Sequence, residues 1–347
     1  MPEVLKNPFR GRGMSGDVKL PPADPKPVAE LLAFCPAYAP TPLLNAKCLA
    51  ELAGVARIHL KDERGRMGLG SFKALGAVYA IAREAAEAGG PWETALSGRT
   101  FVAASAGNHG LSVAAGARLF GAQAKIFLAQ TVPDSFAARL IAKGAEVIRM
   151  GATYEESMVA VEAAAAEHRW TLLSDSSWPC YTDLPWRVME GYLQLAAEVV
   201  EQIGTQPTHI LLQAGVGGLA AAVAAHARAV WGEDPVIVVV EPAAAAALLE
   251  SIRAGSLVTA DGPVSAMGRL DCKTPSMIAL AGLARDADLF VTITEAEAEA
   301  GVAALSDKGF ATTPSGAAGM AALLAGLPGI GAEARVLAIM SEGPEDG

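Results

Sequence analysis

Strand-like apolar runs alternate with alanine-rich helical runs along almost the whole of this 347-residue chain, and no other feature narrows its possible folds as far. Short β-favouring runs fall at 57–61, 100–104, 124–128, 146–150, 209–213, 236–241 and 336–340, and longer alanine-rich runs such as 74–88, 154–168 and 186–203 stand between them. Strand, helix and strand in regular succession build parallel sheets with helices on both faces. Ligands of such sheets sit beyond the carboxyl ends of the strands. Functional residues are therefore sought where a strand-like run gives way to a helical one.

Four glycine-rich or hydroxyl-rich segments that lead into helical runs carry chemistry. Lys73 follows the glycine-loosened loop Gly65-Arg66-Met67-Gly68-Leu69-Gly70-Ser71-Phe72 and opens the 74–88 run. A long cation on an apolar helix start either reaches water or loses its charge as an imine, and desolvation lowers its pKa in the direction imine chemistry needs. Ser105-Ala106-Gly107-Asn108-His109-Gly110 follows the 100–104 run. It is either an ordinary strand-to-helix turn or a set of unpaired N–H groups that suits a carboxylate or phosphate. Gly215-Val216-Gly217-Gly218-Leu219 follows the 209–213 run. Its spacing is neither the dinucleotide fingerprint nor a P-loop, which leaves a cup for one phosphate or a tight packing turn. In Thr313-Pro314-Ser315-Gly316-Ala317-Ala318-Gly319, the Ser315 hydroxyl either contacts a heterocyclic nitrogen or caps the helix.

Taken in this order, the four motifs resemble those of the fold type II pyridoxal 5′-phosphate (PLP) enzymes, the tryptophan synthase β-like group that includes serine and threonine dehydratases. The resemblance covers about residues 36–322, and within the group the chain is most similar to the diaminopropionate ammonia-lyases. It rests also on Lys61-Asp62-Glu63, Ser174-Asp175-Ser176-Ser177-Trp178 and Met189-Glu190-Gly191-Tyr192. The resemblance implies a two-domain α/β fold with parallel-rich twisted sheets and helices on both faces. Residues 1–20 would be a flexible arm, 21–97 with 181–347 a large PLP-binding domain, and 98–180 a small domain that closes over the substrate. It implies that Lys73 holds PLP as an imine and shuttles the α-proton, that Asn108 bonds the cofactor's phenolic oxygen, and that Ser315 faces the pyridine nitrogen. Gly215, Val216, Gly217, Gly218 and Leu219 would cradle the phosphate. The loop Ser105, Ala106, Gly107, Asn108 and His109 would bind the substrate carboxylate, with His109 in a supporting role. Asp175 would handle the leaving group or a distal amine.

The implied reaction is β-elimination from a small β-substituted L-amino acid, giving a 2-oxo acid and ammonia. A serine at the pyridine nitrogen cannot hold that nitrogen protonated through charge, which favours reactions that store no long-lived carbanion. The same scaffold also supports serine or threonine dehydration, β-replacement, and racemisation, for which Ser105 is a candidate second base. A phosphate-binding regulator without catalysis would need no lysine at 73. One departure stands out: Ala106 occupies the position where the resembled ammonia-lyases carry an aspartate linked to D-isomers. That shifts the expectation toward L-substrates and away from diaminopropionate itself.

The bulk composition limits partners. With 27 basic and 37 acidic residues the net charge is −10, which disfavours nucleic acid and anionic membranes. The four cysteines, Cys35, Cys48, Cys180 and Cys272, show no Cys-x-x-Cys spacing, so neither a metal centre nor a disulfide framework is expected. The first 20 residues lack the apolar core of a secretory signal, and the apolar stretch 210–225 is short and interrupted by glycine. The expectation is a cytoplasmic homodimer with PLP as cofactor and a small amino acid as substrate. The terminal residues 343–347 are expected to be flexible.

Overall fold

The computed structural model of the chain describes residues 2–344, so the end of the expected flexible tail lies outside the described residues. Each strand-like run forms a strand, because apolar residues there face helices on both sides. The strands are β1 (Glu3–Lys6), β2 (Leu43–Asn45), β3 (Arg57–Asp62), β4 (Thr100–Ala104), β5 (Gln123–Leu128), β6 (Glu146–Arg149), β7 (Thr171–Leu172), β8 (His209–Gln213), β9 (Val236–Pro242), β10 (Leu289–Ile293) and β11 (Arg335–Met340). They build a seven-stranded sheet in the order β1-β10-β9-β8-β11-β3-β2 and a four-stranded sheet in the order β6-β5-β4-β7. Only the edge strands β1 and β2 run antiparallel to their neighbours; the inner pairings of both sheets are parallel.

Alternation along a strand sends successive side chains to opposite faces. In β8, Ile210 and Leu212 enter the core shared with the helices Asp183–Gln202 and Gly218–Trp231, while Leu211 enters the one shared with Pro314–Leu324. In β4 of the smaller sheet, Phe101 and Ala103 point to one side and Val102 and Ala104 to the other, where Val161 of the helix Tyr154–His168 covers them. Both faces are dry, as parallel sheets require.

Below the larger sheet's edge lies a fully buried set of charges. Lys61 Nζ is 2.6 Å from Glu198 Oε2, Arg66 Nη1 is 2.7 Å from Glu198 Oε1, and Arg66 Nε is 2.7 Å from Glu63 Oε2. Thr41 Oγ1 donates to Glu63 at 2.6 Å, and Lys61 donates to the Thr41 carbonyl at 2.7 Å. Two cations and two anions cancel, and the hydrogen bonds offset much of the desolvation cost. This knot ties the 38–41 segment, β3 and the helix Asp183–Gln202 to the loop that leads to Lys73.

The structure departs from the expected flexible arm at 1–20. Residues 3–6 are β1, paired with β10 from Glu3↔Thr292 to Lys6↔Leu289. Asn7 is buried, and its Nδ2 donates to the carbonyls of Leu283, Ala284 and Ala287 at 3.3, 2.9 and 2.6 Å. Those carbonyls lie in the last turn and at the cap of the helix Met277–Asp286, where Leu283 also accepts from Ala287 N at 2.9 Å. The pairing partner is some 280 residues away in sequence, beyond the reach of local pattern. Among the described residues no helix is long and apolar enough to cross a membrane.

Candidate active site

The loop after β3 is held at both ends. Arg66 sits in the buried charge knot, Phe72 N donates to the Ser341 carbonyl just beyond β11 at 3.1 Å, and Ser71 bridges to Glu342. Lys73 therefore starts the helix Lys73–Ala88 at the carboxyl end of the larger sheet, and Ser112 Oγ fixes its carbonyl at 2.7 Å. Lys73 Nζ donates to the Asp175 carboxylate, with the rings of Phe72 and Tyr192 centred 5.3 and 5.8 Å away.

Electrostatics here reverse the expectation that desolvation lowers the lysine. Burial is the largest single influence and pulls the Lys73 ammonium down, but the Asp175 carboxylate, joined by Tyr192 and Cys272, holds the amine above the ordinary lysine value. Burial pushes Asp175 up, and the Lys73 charge, with a smaller part from His109, brings it below the usual carboxylate range. The free amine is thus an ion pair. To become a nucleophile it must give up a proton, and the Asp175 carboxylate is the group in contact to receive it.

From the smaller sheet, β4 leads through Ser105, Ala106 and Gly107 into the helix Asn108–Leu119. Asn108 Nδ2 donates to the Glu342 carboxylate, so this helix start faces the end of β11. His109 is buried, which lowers its pKa, and its Nε2 lies 2.8 Å from the Leu173 carbonyl. A neutral ring donating there leaves Nδ1 without a partner among the described residues. Ala106 brings only a methyl group.

β8 runs through Ala214, Gly215 and Val216 into the helix Gly218–Trp231, with Gly217 as the residue before it at φ +95°. Any other residue there would be strained, and a Cβ would stand 3.1 Å from both the Ala279 Cβ and a Leu248 methyl. A Cβ on Gly215 would lie 3.0 Å from Cys272 Sγ, and one on Gly218 3.6 Å from the Tyr192 ring and 3.9 Å from the Asp175 carbonyl. Positions 215 and 217 are too tight for a side chain, and the loop opens a helix whose first N–H groups lack intrahelical partners. At the fourth junction Thr313, not Ser315, caps the helix, accepting from Gly316 N at 3.0 Å. The buried Ser315 Oγ instead accepts from Arg269 N at 3.1 Å.

The four junctions meet around one cleft. Asp175 touches Lys73 and adjoins the glycine loop; Arg269 joins that loop to Ser315; Glu342 joins Asn108 to Thr313. Sequence reading passed over Arg269 and Glu342, weighed Cys272 only as one of four scattered thiols, and named Tyr192 only as part of a motif. Glu342 alone carried a signal, as a charged residue just past the 336–340 run on the side where ligands of parallel sheets bind. Burial drives the Cys272 thiol up to about 12, so it stays protonated. The residues fit a phosphate-bearing aldehyde: an amine beside the Tyr192 ring, a glycine-rich anion cup, and a buried hydroxyl, Ser71 Oγ, without a partner among the described residues. A buried hydroxyl of that kind calls for a polar ligand.

Comparison with known proteins agrees with that fit. Residues 35–342 match the family model described as pyridoxal-phosphate dependent enzyme. The diaminopropionate ammonia-lyase of Escherichia coli strain K12 is 32% identical over 308 residues, covering 83% of this chain and 77% of the relative. The serine dehydratase-like protein of Mus musculus is 29% identical over 301 residues, covering 86% of each. Among solved structures, the Escherichia coli diaminopropionate ammonia lyase in complex with an aminoacrylate-PLP azomethine reaction intermediate superposes with a TM-score of 0.88 at 29% identity, covering 100% of this chain and 94% of that one.

Proposed function

We propose that this chain, which belongs to the family of pyridoxal-phosphate dependent enzymes, releases ammonia from a small β-substituted L-amino acid by β-elimination. The observation that carries the proposal is the Lys73–Asp175 pair set beside the glycine-rich loop Gly215-Val216-Gly217-Gly218. Pyridoxal 5′-phosphate is the cofactor, and it supplies an electron sink for charge developing at the substrate's α-carbon. In this reading Lys73 is its covalent anchor, the backbone from Gly215 to Leu219 receives its phosphate, Asn108 its phenolic oxygen and Ser315 its ring nitrogen.

The chain's own groups then divide the work. Backbone N–H groups from Ser105 to Asn108, at the start of a helix, hold the substrate carboxylate. Lys73 Nζ takes the α-proton, and Asp175, a carboxylate within contact of that amine, passes a proton to the departing β-substituent. Closure of the 98–180 segment over the cleft keeps water away until the substituent has left. Hydrolysis of the released enamine yields the 2-oxo acid and ammonia. Ala106 offers no acid to a second substrate amine, which favours a hydroxyl as leaving group and a dehydratase-like range. A homodimeric, cytoplasmic enzyme completes the proposal on the strength of the resemblance.

The purified protein should be yellow, and borohydride should fix the cofactor to the peptide that contains Lys73. A panel of β-substituted L-amino acids should release ammonia and 2-oxo acid in equal amounts, and Lys73→Ala should abolish both. Label on a different lysine, or a yellow protein that turns over none of the panel, would sink the reading.

A further inference from the structure

Asp175 lies in the turn-rich segment between β7 and the helix Asp183–Gln202, and its carboxylate stays on Lys73 only if that segment is fixed. Two residues before it, the chain is fastened to the smaller sheet. Leu173 N donates to the Val102 carbonyl of β4 at 2.8 Å, and His109 Nε2 lies 2.8 Å from the Leu173 carbonyl. The Tyr181 hydroxyl accepts from Ser174 N at 3.0 Å and donates to the Leu172 carbonyl at 2.8 Å. Two residues after Asp175, the chain is fastened to a different part of the molecule.

Ser177 and Ser276 are both buried, and their hydroxyl oxygens share a hydrogen bond of 2.7 Å. Ser177 N donates to Ser276 Oγ at 3.2 Å, and Ser177 Oγ accepts from Ile278 N at 2.9 Å. The Ser177 carbonyl accepts from Met277 N at 3.0 Å. Ser276 precedes the helix Met277–Asp286 but does not cap it with its own side chain; Ser177, 99 residues away in sequence, does so instead. A helix start that needs only a cap takes it from its own first residue. A cap lent by a remote segment also fixes that segment in place. Ser276 N in turn donates to the Val216 carbonyl at 3.0 Å, and the Asp175 carbonyl is 3.9 Å from where a Gly218 Cβ would stand. The hydroxyl pair thus ties the Asp175 segment to the glycine-rich cup.

Resting on the elimination reading above, we infer that Ser177 and Ser276 are positioning residues that set the Asp175 carboxylate against Lys73 Nζ for proton transfer to the departing group. They act through Asp175, which is two residues from Ser177. A carboxylate must stay within hydrogen-bond reach of the proton it moves, and a misplacement of about 1 Å can cost about a hundredfold in rate. The tie also sets that carboxylate relative to the cup, so the proton carrier and the cofactor's phosphate share one frame.

Neither hydroxyl carries charge, so removing one alters the Lys73 amine only by moving its neighbours. The titratable groups about the Lys73–Asp175 pair are Tyr192, Cys272, His109, Tyr154 and Tyr181. In Ser177→Ala and in Ser276→Ala, each stripped of cofactor, the pH profile of Lys73 acylation should move to lower pH, because a displaced carboxylate supports the ammonium less. In an Asp175→Asn background the same substitutions should move it no further. Loaded with PLP, both serine variants should lose about tenfold in kcat on a β-substituted amino acid that the wild type turns over, with KM changed by about twofold or less. Ser251→Ala removes another buried hydroxyl, one that donates to the Ala247 carbonyl at 2.7 Å, and should leave both readings at their wild-type values. Acylation profiles of the serine variants that coincide with the wild type would overturn the inference. So would a shift that persists in Asp175→Asn or that Ser251→Ala reproduces, since the pair would then serve the fold alone. Should the coupled shift appear while no amino acid yields a 2-oxo acid, the elimination reading fails and the placement of Asp175 stands.

Discussion

Burial alone would leave the Lys73 amine easier to deprotonate, yet the Asp175 carboxylate in contact with it holds the ammonium above the ordinary lysine value. Removing that carboxylate takes away the largest of the influences that oppose burial, with Tyr192 and Cys272 supplying the rest. In Asp175→Asn, stripped of cofactor, Lys73 should therefore lose its proton at lower pH than in the wild type. The pH profile of Lys73 acylation, read peptide by peptide, measures this directly. Coincident profiles would mean that Asp175 does not govern the amine. The motif around Lys73 announced an amine capable of imine chemistry, but the sign of its pKa shift depends on a residue 102 positions away.

Among the elements, the loop from β3 to the helix Lys73–Ala88 has little apolar material of its own, so its shape comes from the buried charges beneath it. Arg66 and Glu198 are almost wholly shielded from water, and burial already works against the Lys61 charge. Arg66→Ala would leave Glu63 and Glu198 facing one another with Lys61 as their remaining cation, a loss of about 3–5 kcal/mol. Arg64→Ala is the control: its pair with Asp62 is partly exposed and should matter by about 1 kcal/mol or less. Urea unfolding of the two variants tests the contrast, and equal losses would remove the knot from its anchoring role. Lys61 and Glu63 were legible as part of a motif. Glu198, from the middle of the helix Asp183–Gln202, was not, since a charged residue in an amphipathic helix ordinarily faces water.

At the scale of the whole molecule, β1 closes one edge of the larger sheet. Deleting residues 2–7 removes the pairing from Glu3↔Thr292 to Lys6↔Leu289 and the three Asn7 hydrogen bonds. It also uncovers β10, with Phe290 and Val291 at the core. An exposed edge of parallel sheet invites pairing with other chains, so the truncated protein should scatter light on mild heating before its wild-type counterpart does. Asn7→Ala, which leaves β10 covered, should lower stability by about 1–3 kcal/mol without that aggregation. Truncation with no change in either measurement would return the segment to the status of a loose arm.

What the sequence determined by itself is what repeats locally. Alternating strand and helix signals and the small-residue turns at their junctions located seven of the eleven described strands and the four loops that lead into helices, because each depends on a few neighbouring residues; β1, β2, β7 and β10 were not legible. Which groups face each other was decided only in three dimensions. Asn108 and Glu342 meet across 234 residues, Arg269 lies over Gly107, Thr313 takes the capping role left open for Ser315, and Asp175 reverses the expected shift at Lys73. The physical reason is common to all four. Hydrogen-bond partners and electrostatic fields follow distance in space and burial, and a parallel sheet joins strands that are far apart along the chain.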